Sequence, residues 1–429
     1  MSHSRTMSIV VASLFAVFCI FLIGVWYPAT TSYPDSDWYI KIAEGNIKDV
    51  PQPFASRVLD PLIVRLLSVS SGLDIDTSFY VVNALFLTGF VFALSLLFLS
   101  VSFMSPLLAF SIVFVPFLFE FHRNFYMSDI LSGFLIVLFL LFLKEKKNSL
   151  SLFLLFLLFF SRPTDATVLG VILVAVSFYK KEIQLARAGS AVFLISYLLS
   201  SQIITPLGAP NIHNISNFIY RVVEPPYYFV RNILGIDWFV SAHVQYCQPK
   251  LLLSLPQWIQ MGNLKTIGIC GFNIFNPLSV ILYALTTFGL IPGILFFALR
   301  KNVRALFSKS ETWLLVAICY GVLLFLLGSL VPNLRTVSYG WPVFLLSSFF
   351  IFDAQTKQWP AKAKEYLIKI FVPMQIILLW TPYLIVKNLS YAHETLKFSL
   401  SLSLAVVFYA IFIKICSIVV KKYNLVYNL

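Results

Sequence analysis

Residues 35–61, DSDWYIKIAEGNIKDVPQPFASRVLDP, hold the densest group of side chains able to do chemistry: five carboxylates (Asp35, Asp37, Glu44, Asp49 and Asp60), two lysines and Arg57. A carboxylate beside a hydroxyl can take its proton, and an arginine fork matches a phosphate through two parallel hydrogen bonds. If 35–61 opens as a short helix, Asp35, Tyr39 and Ala43 fall at i, i+4 and i+8 on one stripe, which presents Asp35 to a site. Asp37 then points about 200° away at ~100° per residue. Three later segments carry the same kinds of group: EFHRNFYMSD at 120–129, with Glu120, His122, Arg123 and Asp129; SRPTD at 161–165, with Arg162 and Asp165; and PNLRTVSYGWP at 332–342, with Arg335.

The elements that must position these residues are membrane spans. The chain has 429 residues, 59% hydrophobic and 11% charged, against roughly 25% charged in soluble domains. Apolar runs near 8–29, 79–102, 105–119, 129–143, 149–161, 166–179, 187–207, 277–299, 312–331, 341–353, 367–386 and 397–420 predict an all-α polytopic membrane protein of about twelve spans. The runs at 149–161 and 166–179 are short enough to be re-entrant or only partly spanning. We expect one integral domain, with a module at 1–206 containing the first outer loop (30–78), a long outer loop at 207–276 and C-terminal helices at 277–429. The first run follows Arg5 and is long enough to be a retained span rather than a cleaved leader.

Charge assigns the faces. With the N-terminus inside, inner segments such as KEKK at 144–147, Lys180, Lys181, Arg300, Lys301, Lys421 and Lys422 hold sixteen basic residues against five acidic ones. The positive-inside rule then puts both termini in the cytoplasm and most carboxylates outside. The net charge of +13 is therefore a matter of topology, and no nucleic-acid partner is expected. Taken singly, each outer charge reads as a solvated loop residue or an interfacial anchor, and Arg57, Arg65 or Arg123 can snorkel. Gathered at one face, arginines and carboxylates suit a phosphate-bearing, lipid-linked substrate. Ionisable residues at the membrane boundary are functional candidates by default.

Cys19, Cys319 and Cys416 lie in spans as small apolar fillers, whereas Cys247 and Cys270 share the long outer loop and are either a disulfide or two free thiols. That loop, rich in aromatics around HNISNFIYRVVEPPYYFVRNILGIDWF, reads as an interfacial helix or as the cover of an acceptor groove. Its histidines have no zinc-ligand spacing. G-x-x-x-x-G-K-[ST], G-x-G-x-x-G and H-E-x-x-H are all absent.

The pattern D-x-x-x-Y-x-x-x-A from Asp35, the R-x-L-x-P of Arg57, Leu59 and Pro61, the HRNFYMSD segment, the SRPTD turn and a late R-x-x-x-x-G-W-P resemble multi-spanning glycosyltransferases of the GT-C superfamily, of the bacterial mannosyltransferase-like and aminoarabinose-transferase-like kinds. The resemblance covers about the first 180 residues. It implies Asp35 as catalytic base or as a metal or acceptor contact, with Asp37 as its competitor, and Tyr39, Arg57, Glu120, His122, Arg123, Asp129, Arg162, Asp165 and Arg335 as substrate contacts. Glu120 and Asp129 stand where the family often has a second acidic residue; Arg162 and Arg335 stand where it has basic residues near the donor phosphate. No cofactor is assigned, though a divalent metal is compatible with the resemblance. A W-W-D-Y-G motif and a large soluble C-terminal domain are lacking, which argues against transfer onto protein. The expectation is transfer of a sugar from a polyprenyl-phosphate donor to a glycan or lipid acceptor on the outer face of a bacterial inner membrane. The alternatives are a flippase or transporter of a lipid-linked sugar, or a surface polysaccharide polymerase or ligase.

Overall fold

The computed structural model describes residues 3–26, 35–51, 54–99, 106–204, 207–208, 229–240, 250–254, 256–257, 266–290, 310–330, 359–388 and 394–423. The chain is a helical bundle. Its helices are α1 (His3–Trp26), α2 (Ser36–Glu44), α3 (Leu59–Ser71), α4 (Ile75–Leu99), α5 (Pro106–Val113), α6 (Pro116–Arg123), α7 (Asp129–Lys144), α8 (Asn148–Ser161), α9 (Pro163–Tyr179), α10 (Ile183–Leu198), α11 (Phe275–Phe288), α12 (Thr312–Leu330), α13 (Ala361–Asn388) and α14 (Glu394–Lys422). Among the described residues four are long and apolar enough to cross a bilayer, over Thr6–Trp26, Ile75–Leu97, Ala361–Ile385 and Ser399–Val419, and α8, α9, α10 and α12 contribute shorter apolar stretches. Many large apolar side chains on α1, α10 and α14 point outward, among them Phe15, Leu194 and Ile411, as suits a hydrocarbon surrounding. The run expected at 341–353 and the second half of the one at 277–299 lie outside the described residues.

Two expected features are refined by proline. The apolar run at 105–119 divides into α5 and α6, because Val115, which precedes Pro116, is extended (φ −127°, ψ 143°), the conformation proline imposes on its predecessor. Trp380 of α13 donates its indole N–H to the Phe114 carbonyl at 3.1 Å, so the break is satisfied within the protein. Arg162 is extended too (φ −152°, ψ 86°) ahead of Pro163, which ends α8 and starts α9. The SRP tripeptide thus makes a tight hairpin whose tip is an arginine.

The 207–276 loop contributes an element absent from the sequence reading. Strands β1 (Ile236–Val240), β2 (Leu251–Ser254) and β3 (Thr266–Phe272) form a three-stranded antiparallel sheet in the order β1-β3-β2. Asp237 holds it to the start of α11 by accepting from the Asn276 amide at 2.9 Å and facing Arg231 at 3.4 Å. Where an interfacial helix or the cover of an acceptor groove was expected, the GIDWF end of the segment is strand; its 213–228 part lies outside the described residues. Cys270 is disulfide-bonded, whereas Cys19, Cys319 and Cys416 are free; Cys247, the expected partner, is outside the described residues.

The ends of the bundle separate by charge. Lys144 at the foot of α7 lies over the Trp313 ring (5.8 Å to its centre), and Thr312 donates to Glu182 at 2.6 Å. The α7–α8 turn, the α9–α10 turn and the start of α12 are thereby drawn to one end, the basic end. Asp129, Arg162 and Asp165 close the opposite end of α7, α8 and α9.

α11 stops inside the protein, and its exit is held by a neighbour's side chain. Gln375 of α13 accepts from the Leu290 N–H at 2.6 Å and donates to the Phe288 carbonyl at 3.0 Å, while the Tyr409 hydroxyl donates to the Gly289 carbonyl at 2.6 Å. Gly289 is left-handed (φ +56°), and a Cβ there would meet Gln375 at 2.4 Å. Gln375→Leu leaves a buried N–H and a buried C=O without partners, so we expect a loss of about 1–3 kcal/mol for the first unsatisfied group alone. Thermal unfolding in detergent checks this; an unchanged midpoint would show the contact to be dispensable.

Candidate functional site

Helix length sets the site's depth. α7, α8 and α9 have 16, 14 and 17 residues, or ~24, ~21 and ~26 Å at 1.5 Å per residue, short of the ~30 Å hydrocarbon core. If their basic ends lie at one membrane surface, helices of this length end short of the opposite one. α10 continues through a π-helical turn, Leu199–Ile204, and the step between this extension and the end of α8, where residues 35–61 pack, is the recess.

Residues 35–61 fill that recess. Ile42, Val50, Ala55 and Val58 are buried together with Trp38, Ile47 and Phe54 against Phe160 at the end of α8 and Ile204 beyond α10. Tyr39 and Ala43 are buried on the other side against Val64, Phe79, Tyr126 and Met127. The stripe expected on α2 does face inward: Ser36, Tyr39, Ile42 and Ala43 are its buried residues. Asp35 is the half-buried N-cap residue at its head, and Asp37 is exposed. Arg57 then reaches back to donate to the Tyr39 hydroxyl at 2.8 Å, tying the start of the segment to its end.

At the floor of the recess three helices begin, each with a buried aspartate in its first turn: Asp60 in α3, Asp129 in α7 and Asp165 in α9. A carboxylate at a helix N-terminus is favoured by the exposed N–H groups and the dipole. Arg162 stands between two of them. Its Nη1 donates to Asp129 Oδ1 at 2.5 Å, and its Nε lies 3.1 Å from Asp165 Oδ2, an ion pair too far out of line to be a hydrogen bond, so Oδ2 is buried without one. The α7 and α8 ends are fastened by serines: Ser132 meets Ser161 hydroxyl to hydroxyl at 2.8 Å, and Ser128 donates to the Ser161 carbonyl at 3.3 Å. Arg57 is close enough to act electrostatically on Asp165.

Asp60 is the residue that sequence reasoning passed over. It is 4% exposed, and among the described residues no hydrogen bond or ion pair reaches its carboxyl. Burial, and then the neighbouring charge of Asp129, push its pKa up to about 8. A signal existed: Asp60 lies one turn before Val64 on the buried stripe of α3, a charge where the helix otherwise buries apolar groups.

A second polar group sits at the far end of α6. The Tyr383 hydroxyl of α13 donates to Glu120 in a short hydrogen bond, and Arg123 lies 4.0 Å from Glu120 with its Nε buried and without a hydrogen-bond partner among the described residues. His122 is buried, its Nδ1 3.2 Å from the Asn83 amide oxygen and its ring edge-on to Phe21 at 4.5 Å. Of the expected contacts, Tyr39, Arg57, Asp129, Arg162 and Asp165 are thus brought together, Glu120, His122 and Arg123 form a neighbouring group, and Arg335 lies outside the described residues. Among the described residues no group of three or more His, Cys, Asp or Glu side chains is placed to hold a metal ion.

No family model, no curated protein and no solved structure matches this chain.

Arg162 is the counter-ion of two buried carboxylates, so its loss should act first on stability. We expect Arg162→Gln to destabilise by about 3–5 kcal/mol, the magnitude for stranding a buried charge, and Asp129→Asn in the same chain to restore part of the loss. A double-mutant cycle in detergent measures it, and strict additivity of the two changes would dissolve the pair.

Proposed function

We propose that the chain is a membrane glycosyltransferase that moves a sugar from a polyprenyl-phosphate donor to a hydroxyl of a glycan or lipid acceptor, at the face opposite its basic turns. The observation that carries this reading is the buried Arg162-centred carboxylate group at the ends of α7, α8 and α9 away from the basic turns; helices of that length would hold it below the membrane surface. A lipid-linked phosphate is anchored at that depth by its chain, and water-soluble sugar nucleotides are not. Arg162 orients Asp129 and Asp165, while Arg57, Arg123 and Arg335 are the cations assigned to the donor phosphate.

The reaction is a single displacement. The acceptor oxygen bonds to the anomeric carbon as the bond from that carbon to the phosphate oxygen breaks. Lipid phosphate leaves with the electron pair, and the acceptor proton passes to a carboxylate. The GT-C-like register assigns that proton to Asp35, at the head of the buried stripe of α2 and one turn from the Tyr39 that holds Arg57. The setting that fits is a bacterial inner membrane with both termini cytoplasmic.

A transporter of lipid-linked sugar is the second reading. It is favoured by the α5–α6 break and by the interior end of α11, since discontinuous helices mark many transporters. Transfer in proteoliposomes separates the two. Asp35→Asn should lower sugar transfer by ~10²–10⁴, the usual worth of general-base help, and Asp37→Asn should lower it far less. Full transfer by Asp35→Asn would remove Asp35 from the chemistry, and movement of lipid-linked sugar across the bilayer without transfer would favour the transporter.

A further inference from the structure

Asp60 has a place in the site but no part in the chemistry so far. Its side chain is buried at the floor of the recess, and the arginine of the site is taken: Arg162 faces Asp129 and Asp165, and Arg57 is bonded to Tyr39. Among the described residues no cation is paired with it: Lys41 of α2, which packs on α3, lies over the Trp38 ring, and Arg65 of α3 itself is exposed. α2 carries Asp35, Asp37, Tyr39, Lys41 and Glu44; α4 carries Asp76 and Tyr80; α8 has no ionisable side chain. Of these and the rest of the described residues, the charge that bears on Asp60 is that of Asp129, which is negative. Two carboxylates in one buried site cannot both ionise cheaply, and Asp129 is the one with a counter-ion.

A neutral carboxyl at this position has a use that an ionised one lacks. It has an O–H to give, and it can approach an anion without repulsion; a buried acid kept neutral so that it can donate to developing negative charge is a known catalytic device. We propose that Asp60 is carried as a carboxylic acid and donates a hydrogen bond to the phosphate of the lipid-linked donor. This rests on the transferase reading and adds to it a phosphate contact that bears no charge of its own. The contact exists while Asp60 keeps its proton, up to about pH 8. Above that the carboxylate repels the ligand, so affinity falls toward tenfold per pH unit, as for any single proton required for binding. The phosphate's own second ionisation, at ~6, lies well below this break.

The test is binding of farnesyl phosphate to the detergent-solubilised full chain, by calorimetry, from neutral to alkaline pH. The wild type should bind with constant affinity up to about pH 8 and lose it above. Asp60→Asn keeps a neutral donor in place; it should bind several-fold more weakly at neutral pH, with the alkaline break gone. Asp60→Glu should move the break. A break that survives in Asp60→Asn, or a wild type without one, overturns the role of Asp60 and leaves the donor reading standing. No binding by the wild type at any pH brings down the donor reading and this one together. If Asp60→Asn does not fold, infrared spectroscopy of the wild type decides. A protonated-carboxyl carbonyl stretch that shifts with ¹³C-aspartate and titrates near the same pH supports the proposal, and its absence ends it.

Discussion

The burial of three aspartates beside one arginine is the constraint on which the rest of this structure depends. Each carboxylate removed from water carries a desolvation penalty of several kcal/mol unless it is paired or protonated. Arg162 is the partner of Asp129 and Asp165, whereas no ion pair reaches Asp60 among the described residues, and burial raises its pKa. The arginine can serve both partners because it is the tip of the α8–α9 hairpin, extended by the proline that follows it and fastened to α7 through Ser132 and Ser161. Three helix N-termini face the same spot, so the fixed dipoles of the backbone favour negative charge where the side chains place it.

Depth follows from the same elements. α7, α8 and α9 are shorter than the ~30 Å hydrocarbon core, which on the proposed reading sets the charged group below the membrane surface, and residues 35–61 fold over it. Their apolar side chains seal the recess toward Phe160 and Ile204, and their polar ones, Tyr39, Arg57 and Asp60, point the chemistry inward. Burial of the group strengthens each charged contact within it, and the proposed reading sets the phosphate of a membrane-anchored lipid beside it.

Much of this was legible in the sequence. The apolar runs marked the helices, the lysine-rich turns marked one end, and Pro116 and Pro163 encoded two breaks through their effect on the preceding residue. That Asp129, Arg162 and Asp165 gather at one end was expected from the alternation of charged turns; that they pair was not. Other features were not legible, for physical reasons. TIGICGF and LLLS are short apolar stretches that read equally as strand or buried helix, and their pairing is non-local. Asp60 looked like one of several loop carboxylates because its burial comes from tertiary packing of α3 on α2, α4 and α8. Arg162 looked free for a phosphate because the sequence could not show that two carboxylates already occupied it.

The central claim is that a lipid phosphate lodges over the Arg162-centred group. Photo-crosslinking with a polyprenyl phosphate bearing a benzophenone near its headgroup, followed by peptide mapping, tests it most directly. The account predicts adducts in residues 35–61, 120–129 and 161–165, competed away by unlabelled polyprenyl phosphate. Competable adducts confined instead to the basic end, around 144–147, 180–182 and 311–313, would contradict it.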